Sequence, residues 1–171
     1  AQLINAPEIA YRWQWQLGRL LQAQGETEKA ILAYSEAIRS TESIKNDLVA
    51  ANQNIQFSFQ DSIEPIYREL VSLLLQANPS GRVSQENLIK ARDVIESLQV
   101  AELNNFFQEA CLTVKSKEID TFDPESTVIY PIILKDRLEI IATFPDQSIH
   151  HYMSAVSAQE LEKVLAQLRF N

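Results

Sequence analysis

Apolar residues recur at three- and four-residue intervals through roughly the first two thirds of the chain, the spacing that sets one helix face against a core. From Pro7 to about Ala23, Ile9, Trp13, Leu17, Leu20 and Leu21 predict a first helix, and Pro7 is tolerated because first-turn amides lack intrahelical acceptors. Gly25 ends it. Thr27 to about Ala51 predicts a second, longer helix through Ala30, Leu32, Tyr34, Ala37, Ile38, Ile44 and Leu48. Asn52 to Gln60 is polar with Ile55, Phe57 and Phe59 alternating, and leads into Asp61-Ser-Ile-Glu64, which has the spacing of a capping box. Ile66, Leu70, Val71, Leu74 and Leu75 predict a third helix ending near Ala77, where Asn78-Pro-Ser-Gly81 breaks the pattern. Ser84 is placed to cap a fourth helix with Leu88, Ala91, Ile95 and Leu98 on its face. Val100 to Leu112, carrying Leu103, Phe106, Phe107 and Ala110, either extends that helix or forms a fifth.

The period then changes. Lys115 to Ser126 is charged, holds Pro124 and has no apolar periodicity, which predicts a surface linker. Val128 to Leu134 is a nearly continuous apolar strand, and Lys135-Asp136 makes a tight turn. Leu138, Ile140, Ala142 and Phe144 then alternate with Arg137, Glu139, Ile141 and Thr143. Pro145 to Gln147 turns again, Ser148 to Val156 predicts a third strand, and Ser157-Ala-Gln-Glu160 is a capping box. The final helix has Leu161, Val164, Leu165 and Leu168 on one face. The expected fold class is α+β: helical hairpins of about four or five helices over 1–114, a linker at 115–126, and a three-stranded antiparallel meander with a C-terminal helix over 127–171. So small a sheet has open edges and an uncovered apolar face, and is expected to pack on the helices or pair with another copy.

Composition narrows the function classes. The 171 residues are 46% hydrophobic and 22% charged, ordinary for a folded globular chain. A formal net charge of −8 disfavours both nonspecific nucleic-acid binding and an anionic membrane surface, since each relies on Lys and Arg. Runs such as Val71 to Leu75 are too short to cross a bilayer, and a single cysteine, Cys111, cannot close an internal disulfide, so a reducing, cytoplasmic compartment is expected. The chain opens on Ala1 rather than Met, as an excised or processed piece does.

Leu17-Gly18, Gly25, Ala30, Tyr34 and Ala37 stand at the spacing of a tetratricopeptide repeat, which the first hairpin resembles. Small residues at Gly18, Ala30 and Ala37 would let the helices approach, with Leu17, Leu21 and Tyr34 filling the space between them. Two departures stand out: the early aromatic is offset to Trp13 or Trp15, and Glu42 replaces the usual proline, which marks a terminal or atypical repeat. Residues 64–98 resemble a degenerate second repeat with a lengthened turn. IYPIILKDRLEII, HHY and VSAQELEKVLAQLR, preceded by LQVAELNNFFQEACL, look like the opening of a CHAT domain, the caspase-like domain commonly attached to such repeats. The resemblance implies a bacterial-type parent protein with a caspase-like cysteine peptidase core whose catalytic His and Cys lie downstream, so this chain is expected to be non-catalytic. Transferring the repeat's groove positions points to Arg12, Trp15, Arg19, Gln22 and Arg68 as contacts for an extended or acidic peptide. A competing reading has Trp15 packing against a preceding repeat.

Three further constellations have plainer readings. Cys111 with His150 or His151 could form a nucleophile and base, but a cysteine closing an apolar helical face is usually a small buried hydrophobe. Adjacent strand residues point to opposite faces, so His150 and His151 cannot share one metal, and one is expected packed and the other solvated. Glu118, Asp120, Asp123 and Glu125 lack the glycine and terminal acid of a calcium loop and read as a solvated linker. No cofactor, metal or catalytic residue is assigned. The expected partners are a protein or peptide, the remainder of the chain's own CHAT domain, and a second copy through open strand edges.

Overall fold

The computed structural model describes residues 7–48, 63–78, 81–107 and 125–169. Its elements run α1 (Pro7–Ala23), α2 (Thr27–Leu48), α3 (Glu64–Leu74), α4 (Gln85–Phe107), β1 (Val128–Ile133), β2 (Leu138–Thr143), β3 (Ile149–Ser154) and α5 (Ala158–Arg169). The class is α+β, as the change of period predicts. Asn52 to Gln60, Cys111, Glu118, Asp120 and Asp123 lie outside the described residues, as does most of the 115–126 linker. The chain forms two compact units, one of residues 1–74 with 97–114 and one of residues 75–96 with 115–171. The start of α4 thus groups with the strands, and its end with the helices before it.

In the first unit, α1 ends as the sequence predicts. Gly25 adopts φ 77°, and the Glu26 N–H donates to the Leu21 carbonyl at 2.9 Å while the Gly25 N–H donates to that of Gln22 at 3.0 Å. That pair of bonds closes a helix through a left-handed residue, which glycine adopts without a Cβ clash. Ala30, Tyr34 and Ala37 of α2 are fully buried, and a Cβ built on Gly18 would come within 3.0 Å of the Tyr34 ring. The small-residue contact expected of the hairpin is therefore present. The expected filling by Leu17 is not, because Gly18 sits at the crossing and leaves its neighbour Leu17 at the rim, 48% exposed. The inner face of α1 is marked by Tyr11 and Gly18 rather than by the predicted series Ile9, Trp13, Leu17 and Leu20, which faces outward. In α3 the buried residues are Ile66, Tyr67, Leu70, Val71, Leu73 and Leu74. That helix stops at Leu74 instead of near Ala77, and Asn78 then closes its own loop, its N–H donating to the Arg82 carbonyl at 2.8 Å and its side-chain oxygen accepting the Arg82 N–H at 3.1 Å.

In the second unit, the Ser84 hydroxyl accepts the Asn87 N–H at 3.2 Å, capping α4, which runs unbroken past Val100 to Phe107. Leu88, Ala91 and Ile95 on its first part are buried as expected. The sheet is an antiparallel meander in the order β1-β2-β3, with Glu139 opposite both Ile132 and Met153, and Ile141 opposite both Tyr130 and His151. Tyr130, Ile132, Glu139, Ile141, Thr143 and Ile149 form its buried face. On β2 this is the phase of Arg137, Glu139 and Ile141, not the purely apolar phase of Leu138 and Ile140. The other face leaves Ile129, Ile133 and Tyr152 exposed, as foreseen for so small a sheet. β3 is shorter than predicted because the pairing ends where Leu138 meets Ser154. Ser157 and Glu160 make the reciprocal cap of α5: the Ser157 N–H donates to Glu160 at 2.9 Å and the Glu160 N–H to the Ser157 hydroxyl at 3.3 Å. Val164, Leu165 and Leu168 of α5 share one face and are exposed.

Candidate functional site

Of the five predicted groove residues, Trp15 and Arg19 meet around a carboxylate that no motif singles out, and Gln22 joins them through Tyr34. Glu69 of α3 accepts the Trp15 indole N–H at 2.8 Å, the Arg19 Nε–H at 3.0 Å and the Tyr34 hydroxyl at 3.0 Å on one oxygen, and Arg19 Nη2–H at 2.5 Å on the other. Trp15 and Arg19 stand four residues apart on α1 and so share a face, which lets the guanidinium lie 4.1 Å over the indole ring. The Tyr34 hydroxyl also lies 3.1 Å from the Gln22 side-chain amide. The hydroxyl has a single proton, so it donates to either the Gln22 Oε1 or the Glu69 carboxylate, the stronger acceptor, at any one time.

The electrostatics follow from that geometry. Burial pushes the Glu69 carboxyl up, but the donors Arg19, Trp15 and Tyr34 outweigh it and hold the group below the usual carboxylate range. Burial, followed by the Glu69 charge, pushes the Tyr34 phenol well above its ordinary value. The hydrogen bond to Glu69 also raises the Arg19 guanidinium, so this cation stays charged. Arg68 lies apart, paired to Glu64 at 2.5 Å and to Glu102 at 4.0 Å. Arg12 lies over the Tyr11 ring at 5.7 Å and donates Nε–H to its hydroxyl at 3.1 Å. The structure thus gathers Trp15, Arg19 and Gln22 and leaves Arg12 and Arg68 in separate contacts.

A second cluster lies in the other unit. Glu139 is 1% exposed; Arg137 Nε–H donates to one of its oxygens at 2.5 Å, and the His151 Nε2 meets the other at 2.7 Å. These three side chains, with Gln76, Gly81, Val83 and Met153 among others, line a cavity of about 360 Å³. His150 is exposed on the opposite face, its ring edge-on to Phe144 at 5.2 Å, which matches the expected division between packed and solvated histidines. Sequence reading missed Glu139 because both phases of β2 carry apolar residues. The available signal was Arg137 and Glu139 two residues apart on one strand face, with a histidine in the next strand.

Among the described residues there is no group of three or more His, Cys, Asp or Glu arranged to hold a metal ion, and no helix is long and apolar enough to cross a membrane. Comparison with family models, curated proteins and solved structures gives no match.

Proposed function

We propose that the chain is a non-catalytic interaction segment of the tetratricopeptide–CHAT kind, acting in the cytoplasm, with protein or peptide partners and without nucleic acid, membrane or cofactor. The observation that carries this reading is the Arg19 guanidinium stacked on Trp15 and fixed by Glu69, a flat shelf whose arginine remains 44% exposed. Its parts come from α1 and α3, with Tyr34 of α2 bound to the same carboxylate, and ordering them before a partner arrives lowers the entropy that binding must overcome. On this reading the β-meander belongs with a caspase-like core that carries the catalytic residues, and His151, engaged with Glu139, serves structure.

The experiment is fluorescence polarisation with labelled extended acidic octapeptides, alongside a fluorogenic peptidase assay. Intact protein should bind and not cleave, and replacing Arg12, Arg19 and Arg68 together with alanine should weaken binding at least tenfold. Unchanged binding in that variant, or cleavage that disappears with Cys111→Ser, would overturn the reading.

A further inference from the structure

β3 is an outer strand of the meander, and the Phe144 N–H bonded to the Ser148 carbonyl at 3.0 Å fixes the phase of its backbone. By the alternation of an antiparallel ladder, His150, Tyr152 and Ser154 turn their N–H and C=O toward β2, and Ile149, His151 and Met153 turn theirs to the edge. Gln85 of α4 donates its side-chain N–H to the Ile149 carbonyl at 3.3 Å and so covers that end. The backbone groups of His151 and Met153 have no partner among the described residues, and Met153 is 60% exposed. Both residues also line the cavity of about 360 Å³, which has Arg137 and Glu139 on its strand wall and Leu75, Ala77 and Val83 on another. We propose that the β3 edge takes an extended peptide of a partner protein as a fourth, antiparallel strand, with a tyrosine opposite His151 entering that cavity. This goes beyond the reading above, because the site lies in the second unit and shares no residue with the predicted groove.

Backbone and charge choose the occupant. Unpaired strand N–H and C=O groups are matched by another strand, which meets them in the plane of the sheet. A residue directly opposite His151 in a hydrogen-bonded pair puts its side chain on the same face as the imidazole, which is the face of the cavity. The charges there are already matched: Glu139 is held by Arg137 and His151, and Arg137 Nη1–H also donates to Asp136 at 3.2 Å. A charged side chain entering would be desolvated without a free counter-charge, so a neutral one is favoured. Tyrosine fits because its ring can lie on Leu75 and Val83 while its hydroxyl, both donor and acceptor, meets the carboxylate and the guanidinium. A second copy fits poorly, because antiparallel β3–β3 pairing keeps the same face of both sheets together and crowds Ala77 and Val83 of the two copies at the joint. The net charge of −8 adds repulsion between copies.

The test titrates the isotope-labelled full chain with the end-blocked pentapeptide Thr-Thr-Tyr-Thr-Thr and reads amide signals and their hydrogen exchange. Binding should shift the His151 and Met153 signals and slow their exchange at least tenfold. The same peptide N-methylated at its tyrosine cannot donate to the edge and should bind at least tenfold more weakly, as should a peptide with glutamate in place of tyrosine. Met153→Pro removes only an edge-facing N–H, which an outer strand tolerates, and should weaken binding at least tenfold with the thermal melt unchanged. Ala77→Phe, at an exposed residue, should fill the cavity and weaken binding as much. Replacing Arg12, Arg19 and Arg68 together with alanine should leave this binding unchanged, so failure here is distinguishable from failure of the acidic-peptide reading. No binding at about 1 mM peptide, or equal binding of the three peptides, would sink the proposal. Loss of binding in the arginine variant would overturn it by placing the peptide on the first unit. His151 and Met153 amides already protected in the free protein would overturn it in favour of the chain covering its own edge. Self-association abolished by Met153→Pro would overturn it in favour of a second copy.

Discussion

Both units are built around a glutamate, and the two glutamates are handled differently. Glu69 collects donors from residues distant in sequence, Trp15 and Arg19 on α1 and Tyr34 on α2, and its side chain is 30% exposed. Glu139 is held by Arg137, two residues before it, and by His151 across one strand pairing, and its side chain is 2% exposed. Water can replace part of what Glu69 loses when a donor is removed. Little water reaches Glu139, so its partners carry nearly the whole cost of keeping a charge out of solvent. A half-wet carboxylate can therefore join helices adjustably, while a dry one fixes a local arrangement or breaks it.

The largest effect expected from that contrast is Glu139→Ala. It strands the Arg137 guanidinium and the His151 ring beside a cavity, and removing one member of a buried pair costs about 3–5 kcal/mol. Both tryptophans, Trp13 and Trp15, belong to the first unit, so strand amide signals should be lost at lower urea while the tryptophan transition stays in place. Equal loss in both probes would show that the two units unfold as one and dissolve the comparison. Replacing Arg137, Glu139 and His151 together with apolar residues of similar size should restore most of the stability, because no charge is then left unpaired.

Next comes the pH response of the first unit. The Glu69 carboxyl is depressed, so its contribution is present above the unfolded value of about 4.3 and is lost as pH falls through the folded one. Tyr34 is raised, so its contribution is present below about 10 and is lost as pH climbs toward the folded value. The urea midpoint read by tryptophan emission should thus fall at both ends of the scale. Glu69→Gln should flatten the acid limb and Tyr34→Phe the alkaline limb. A wild-type profile that matches both variants would mean that the cluster is solvated in solution.

Much of this architecture was legible from residue spacing, and the failures have a common cause. Helix starts at Pro7 and Ser84, the Gly25 stop, the Ser157–Glu160 box and the change to strands at Val128 depend on neighbours within a few residues, so the sequence contains their whole cause. Which face turns inward depends on what the rest of the chain offers. α1 has two usable faces; the one with Gly18 wins because Tyr34 needs the space a missing Cβ leaves, although Ile9, Trp13, Leu17 and Leu20 make the more apolar stripe. β2 likewise turns Glu139 inward because Arg137 and His151 can meet it there. The cluster was half visible: the groove positions named Trp15, Arg19 and Gln22, but Glu69, which joins them, lies 50 residues beyond Arg19.

The smallest expected effect tests whether the dry carboxylate or the turn sets the β2–β3 register. The Gln147 N–H donates to the Phe144 carbonyl at 2.9 Å and the Phe144 N–H to that of Ser148 at 3.0 Å, closing the hairpin with Gln147 at φ 64°. That left-handed position favours glycine, and a side chain with a Cβ is disfavoured there by roughly 1–2 kcal/mol. Part of the relief is offset by the greater freedom of glycine in the unfolded chain. Gln147→Gly should therefore stabilise the second unit by about 1 kcal/mol, read from strand amide exchange. Gln147 sits at the turn joining Thr143 to Ile149, whereas Glu139 and Met153 pair toward the opposite end of the hairpin. If register is carried independently by turn and carboxylate, the gain from Gln147→Gly persists unchanged in the Glu139→Ala background. A gain that vanishes there would mean that the turn is useful only once Arg137, Glu139 and His151 have aligned the strands.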